Sequence, residues 1–164
     1  MLKAQFTDFA RYNRWANGRL YDAAADLSED EYRRDCGLFF RSMHGTLNHL
    51  LTADRIWLRR ITGEGEAPDR LDAILFEDRA ALRAAREAED ARILRHVESL
   101  DEADFAGTFT YRNMRGDSFT QALAPVLSHV FNHQTHHRGQ AHALLTGLGR
   151  KAPELDLIYF LRTQ

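Results

Sequence analysis

His129, His133 and His137 stand four residues apart near the C-terminus, with Gln140 one turn further on. On a helix each residue turns about 100° and rises about 1.5 Å, so Val126, His129, His133, His137, Gln140 and Leu144 fall within a sector of about 80°. The imidazoles therefore share the stripe on which Val126, Val130 and Leu144 must pack inward, and buried imidazoles need partners. His49, on an earlier helix, offers a further nitrogen. The set His49, His133 and His137 has the chemistry of a three-histidine metal site with an open coordination position, suited to a divalent transition ion.

Other polar residues interrupt apolar stripes as well. Asn13, Asn17, Asp54, His133, His137 and Gln140 all fall at core positions, with His129 at the edge. Burying an unpaired polar group costs about 1–3 kcal/mol, so a bundle that places several in one layer must satisfy them together. A site does this, with Asn13, Asn17, Asp54, His129 and Gln140 around the metal or against a substrate, and so does a water-filled hydrogen-bond network. His136 flanks the stripe and is a further candidate for the groups around the metal or against a substrate, and His142 projects away from it. His44 and His96 read as structural.

The elements that position these residues are helical. The first long helix is predicted from about Leu2 to Leu27, with Leu2, Phe6, Phe9, Ala16, Leu20 and Ala24 on its apolar side. Ser28 and Glu31 form a capping-box pattern that opens a short turn or helix, and Gly37 interrupts before the next. The second long helix spans about Ser42 to Ile61, with His49 beside Ala53 and Ile56 at an interhelix groove. A loop, "TGEGEAPDR", precedes a third, mostly solvated helix from about Phe76 to Leu100, with Leu82, Ala85, Ile93, Val97 and Leu100 on one side. "GTFTYRNMRGDSFT" has the alternation and turn residues of a β-hairpin. The fourth long helix runs from about Gln121 to Leu148, and "ELDLIYFLRTQ" supplies a short C-terminal helix. The fold expected is all-α: a four-helix bundle with one small hairpin.

At 164 residues and 44% hydrophobic composition the chain has the size of a single domain, 1–164, able to bury a core of its own. Its formal charge is −2, with arginines interspersed among acids, so it lacks the basic footprint of a nucleic-acid binder. Cys36 is the only cysteine, which excludes an intrachain disulfide and fits a reducing compartment. The N-terminus has no apolar signal region, and the run "LIYFL" is far too short to span a bilayer. The location expected is cytoplasmic, with no membrane partner.

The segments "YNRWAN", "HGTLNHLLTADRIWLRRITG" and "LSHVFNHQTHHRGQAHALLTGLG" resemble the DinB-type family of bacterial four-helix metalloproteins, which is related to bacillithiol and mycothiol transferases. "FTYRNMRGDSFTQ" and "DLIYFL" extend the resemblance over nearly the whole chain. It implies an up-down-down-up bundle, a homodimer, and one nickel or zinc ion held by one histidine of the second long helix and two of the fourth. Matched by position these are His49, His133 and His137. His136 departs from the pattern, since an aromatic residue is common there. The family name is shared with a lesion-bypass polymerase, to which this chain bears no resemblance.

The resemblance implies a metal-dependent transferase or detoxification enzyme for small molecules, the ion activating a low-molecular-weight thiol. The alternative is a non-catalytic metal-binding stress protein or sensor. For the homodimer the sequence adds that Tyr12, Trp15 and Tyr21 lie off the first helix's core stripe, where they either cover a partner or pack under the C-terminal helix.

Overall fold

A computed structural model describes residues 1–164. Its elements, in chain order, are α1 (Leu2–Ala25), α2 (Glu29–Arg33), α3 (Met43–Thr62), α4 (Arg79–Ser99), β1 (Thr108–Arg112), β2 (Ser118–Ala122), α5 (Leu123–Gly147) and α6 (Leu157–Leu161). The Ser28–Glu31 capping box is present and opens α2. Ser42 caps α3 through Gly45 N–H, and Gly63, at φ 76°, ends it in the left-handed conformation that a side chain would disfavour.

Cross-helix contacts set the helix directions. Asn17 meets Asp90 and Arg11 meets Glu98, so α1 and α4 are antiparallel. Asn13 meets Arg138 while the Leu20–Ala24 turn packs with Ala141–Leu145, so α1 and α5 are parallel. Gln134 reaches the Leu50 carbonyl while His129 meets Trp57, so α3 and α5 are antiparallel. This is the up-down-down-up order. Parallel α3 and α4 require the chain to travel back along about 30 Å of helix, and residues 63–78 do so as an irregular loop with a turn at Leu71–Asp72.

Three element boundaries differ from the periodicity. Helix α4 starts at Arg79 rather than Phe76, because Asp78 caps Ala81 N–H and Asn48 captures the preceding backbone. The Asn48 side-chain oxygen accepts from Leu75 and Phe76 N–H at 2.9 and 3.0 Å. Helix α5 starts at Leu123, since β2 runs through Ala122 in antiparallel register with β1. Helix α1 stops at Ala25, leaving Leu27 buried just beyond it.

The apolar core lies in two main clusters. One gathers Leu20, Met43, Leu47, Leu50, Leu51, Leu82 and Leu145; the other gathers Phe6, Leu58, Ile93, Val97, Phe105, Leu127 and Phe131. Tyr12 and Trp15 pack against Phe160 of α6, and Tyr12 donates to the Leu155 carbonyl at 2.6 Å. Tyr21 is buried in the first cluster. Tyr12 and Tyr21 are buried within the chain, and Trp15 is half-buried against Phe160. No helix is long and apolar enough to cross a membrane.

Candidate metal centre

His49 projects from the middle of α3, while His133 and His137 project one turn apart from α5. Their ligating nitrogens all lie within 4.8 Å of one another. His133 Nε2 sits 3.3 Å from His49 Nε2 and 3.1 Å from His137 Nε2. The far side of two rings is fixed. His49 Nδ1–H donates to the Leu71 carbonyl at 2.7 Å, and His137 Nδ1–H donates to Gln140 Oε1 at 2.8 Å. A neutral imidazole carries one proton, so Nε2 of both rings is a bare lone pair aimed at His133. His133 can offer a proton to one of them and not to both.

The environment keeps all three rings neutral. Burial lowers His49 to about 4; burial, then the neighbouring His137 and His49, lower His133 to about 3. His137 is also lowered, chiefly by burial. Neutral, converging nitrogens, with the opposite N–H groups of His49 and His137 held by oxygen acceptors, form the donor set of a divalent transition ion.

Two supports for this cluster carry no periodic signal. Phe40 stacks on His49, ring centroids 3.6 Å apart, and meets His137 edge-on at 5.4 Å. Gly45 permits this: a Cβ there would lie 2.1 Å from the Phe40 carbonyl oxygen. Asn48, by pinning residues 75 and 76, anchors the returning loop that delivers the Leu71 carbonyl to His49. Such residues are visible only as a glycine in a helix's first turn and an asparagine on its buried face.

The polar residues expected in one layer fall into two groups. Gln140 stands beside the histidines, with its Nε2 3.3 Å from the exposed His136 ring. His129 is exposed, stacked edge-on against Trp57 and 5.7 Å from the His133 ring. Asn13, Asn17 and Asp54 instead join Arg86, Asp90 and Arg138 in a separate buried network. Arg86 lies 2.8 Å from Asp54 and 3.0 Å from Asp90. Asn13 and Asn17 donate to Asp90 and accept from Arg138. Arg86 and Asp90 lie four apart on α4, where an opposite-sign pair reads as solvent-facing. Their burial was the part sequence missed, and the only signal was that they interrupt the stripe between Leu82 and Ile93.

A cleft of about 380 Å³ opens on His49 and His133. A groove of about 520 Å³ lies elsewhere, between α1, α5 and the Leu155–Leu157 segment.

Four long helices in up-down-down-up order, with three histidines converging between two of them, define a helical-bundle protein with a candidate metal centre. The family model of the DinB family matches residues 1–164, and the chain belongs to that family. It is 23% identical over 163 residues to Protein DinB of Bacillus subtilis (strain 168), covering 94% of this chain and 95% of that protein. Its fold is similar to the crystal structure of a DinB-like protein from Bacillus cereus, with a TM-score of 0.68 at 14% identity over 89% of this chain and 94% of that one.

Proposed function

We propose that the protein is a metal-dependent enzyme acting on small molecules, with one divalent ion, nickel or zinc, held by Nε2 of His49, His133 and His137. The observation that carries this is the pair of bare lone pairs on His49 and His137 facing a third imidazole nitrogen, an arrangement that a cation satisfies and a single proton does not. When bound, an ion with three neutral ligands keeps its full charge and an open position, and acts as a Lewis acid or lowers the pKa of a bound water or thiol. The Leu71 carbonyl and Gln140 hold the rings in the ligating tautomer, and Phe40 covers one side of His49. The cleft beside His49 and His133 gives a substrate access.

No carboxylate lines that cleft to serve as a general base. A substrate that brings its own acidic proton suits it, and the resemblance to thiol transferases favours a low-molecular-weight thiol attacking an electrophile. The homodimer is proposed on that resemblance alone.

Elemental analysis of protein purified after nickel or zinc supplementation tests the site. We expect about one ion per chain, and loss of the ion in His137→Ala and His133→Ala with helical circular dichroism retained. A metal-free wild type overturns the assignment. X-ray absorption of the loaded protein then separates the roles: three imidazoles plus an exchangeable oxygen support the enzyme, and a fourth protein ligand supports a non-catalytic metal-binding protein.

A further inference from the structure

The cleft that opens on His49 and His133 has a second, chemically different end. It follows α3 past Ala53, Ile56 and Trp57 to Arg60, and Met114 and Arg115 of the hairpin turn form part of its wall. From His49 to Arg60 is about 16 Å of helix rise, so a molecule that touches both ends is extended. Two guanidinium groups and no carboxylate line this space, in a chain whose formal charge is −2.

Arg60 is half-buried and sits over two aromatic rings, 4.7 Å from the Trp57 centroid and 5.2 Å from that of Tyr111. Aromatic faces hold a guanidinium by its charge but accept none of its five N–H donors in the way an oxygen does. No protein carboxylate or carbonyl accepts from Arg60, whereas Arg55, Arg79, Arg83 and Arg86 each meet a carboxylate. A positioned, partly desolvated guanidinium with free donors on the wall of a cleft is a receptor for an oxyanion.

We propose that the substrate carries an oxyanionic group, a carboxylate or phosphate, bound by Arg60 with help from Arg115. Its apolar body lies against Ala53, Ile56 and Trp57, and its reactive end faces the histidines. This rests on the enzymatic reading above, and it assigns Arg60 as a specificity determinant rather than a ligand of the ion.

The test uses Trp15→Phe protein, in which Trp57 is the remaining tryptophan and reports on the cleft, both metal-free and nickel-loaded. The probes are 4-phenylbutanoate, 4-phenylbutylphosphonate and the neutral 4-phenylbutanol, titrated by fluorescence and calorimetry. We expect at least one anion to bind tenfold or more tightly than the alcohol. Arg60→Gln should remove that preference while circular dichroism and the thermal midpoint are unchanged, and Arg60→Lys should retain part of it. The carboxylate and phosphonate arms separate the two anion classes. Equal binding of anions and alcohol, or a preference that survives both Arg60→Gln and Arg115→Gln, overturns the proposal. Anion preference in a protein that takes up no metal leaves the subsite standing and removes the enzymatic reading; normal metal uptake without anion preference does the reverse.

Discussion

Two polar regions are buried in this bundle, and they are built on opposite principles. The network of Asn13, Asn17, Asp54, Arg86, Asp90 and Arg138 is closed: two guanidinium groups face two carboxylates, and amides fill the gaps. Burial pushes the Asp54 carboxyl up to about 6 against the pull of Arg86, and the paired charges of the network sum to zero. The histidine cluster is open. Its rings are neutral and two of them are tied at Nδ1, while nitrogen lone pairs converge with too few protons between them. A closed network specifies how helices pack; an open one specifies what must bind.

The largest effect should come from breaking the closed network. Arg86→Leu leaves Asp54 and Asp90 buried without their shared cation, and should cost about 3–5 kcal/mol in urea unfolding. A loss below about 1 kcal/mol would mean that water already screens the network, and the contrast between the two regions would dissolve.

Acid should act on the two regions with opposite sign. Unfolded histidine has a pKa of about 6.5. His49 and His133 are lowered to about 4 and 3, so between those values and 6.5 the unfolded chain binds more protons. Metal-free stability from these groups is therefore complete above about 6.5 and falls as pH drops towards 3, and bound metal should be released towards the lower end of that window, where the folded ligands themselves protonate. Asp54, raised to about 6, works the other way: its contribution is present below the unfolded aspartate value and is lost as pH rises through 6. Denaturation midpoints measured from pH 7 to 4 should fall in the wild type and fall less in His133→Ala. An identical acid limb in that variant would place the titrating groups elsewhere.

A smaller effect is expected at Gly45. Gly45→Ala forces the Phe40 carbonyl away and with it the ring that covers His49. Metal affinity by calorimetry should fall about tenfold, the scale of changes around metal ligands, with helical content preserved. Unchanged affinity would show that Phe40 does not hold the histidine in place.

Local periodicity determined much of this protein. A 3.6-residue repeat of apolar side chains marks helices wherever they pack, so four long helices were legible, as was the hairpin from its alternation and turn residues. The spacing His133-x-x-x-His137 determined that both imidazoles leave one helix face together, because that follows from helix geometry alone. His49 was legible as the third ligand from its residue type and from the family resemblance, but that it meets the other two depends on how α3 lies against α5. The direction in which a polar side chain at a core position turns depends on partners distant in sequence: Asn17 finds Asp90, 73 residues away, and His49 finds the Leu71 carbonyl. Phe40, Asn48 and the Arg60 end of the cleft were likewise decided by tertiary structure. Loops have no repeat, and an arginine is read as solvated until the surrounding elements show whether a carboxylate, an aromatic ring or an empty cleft lies beside it.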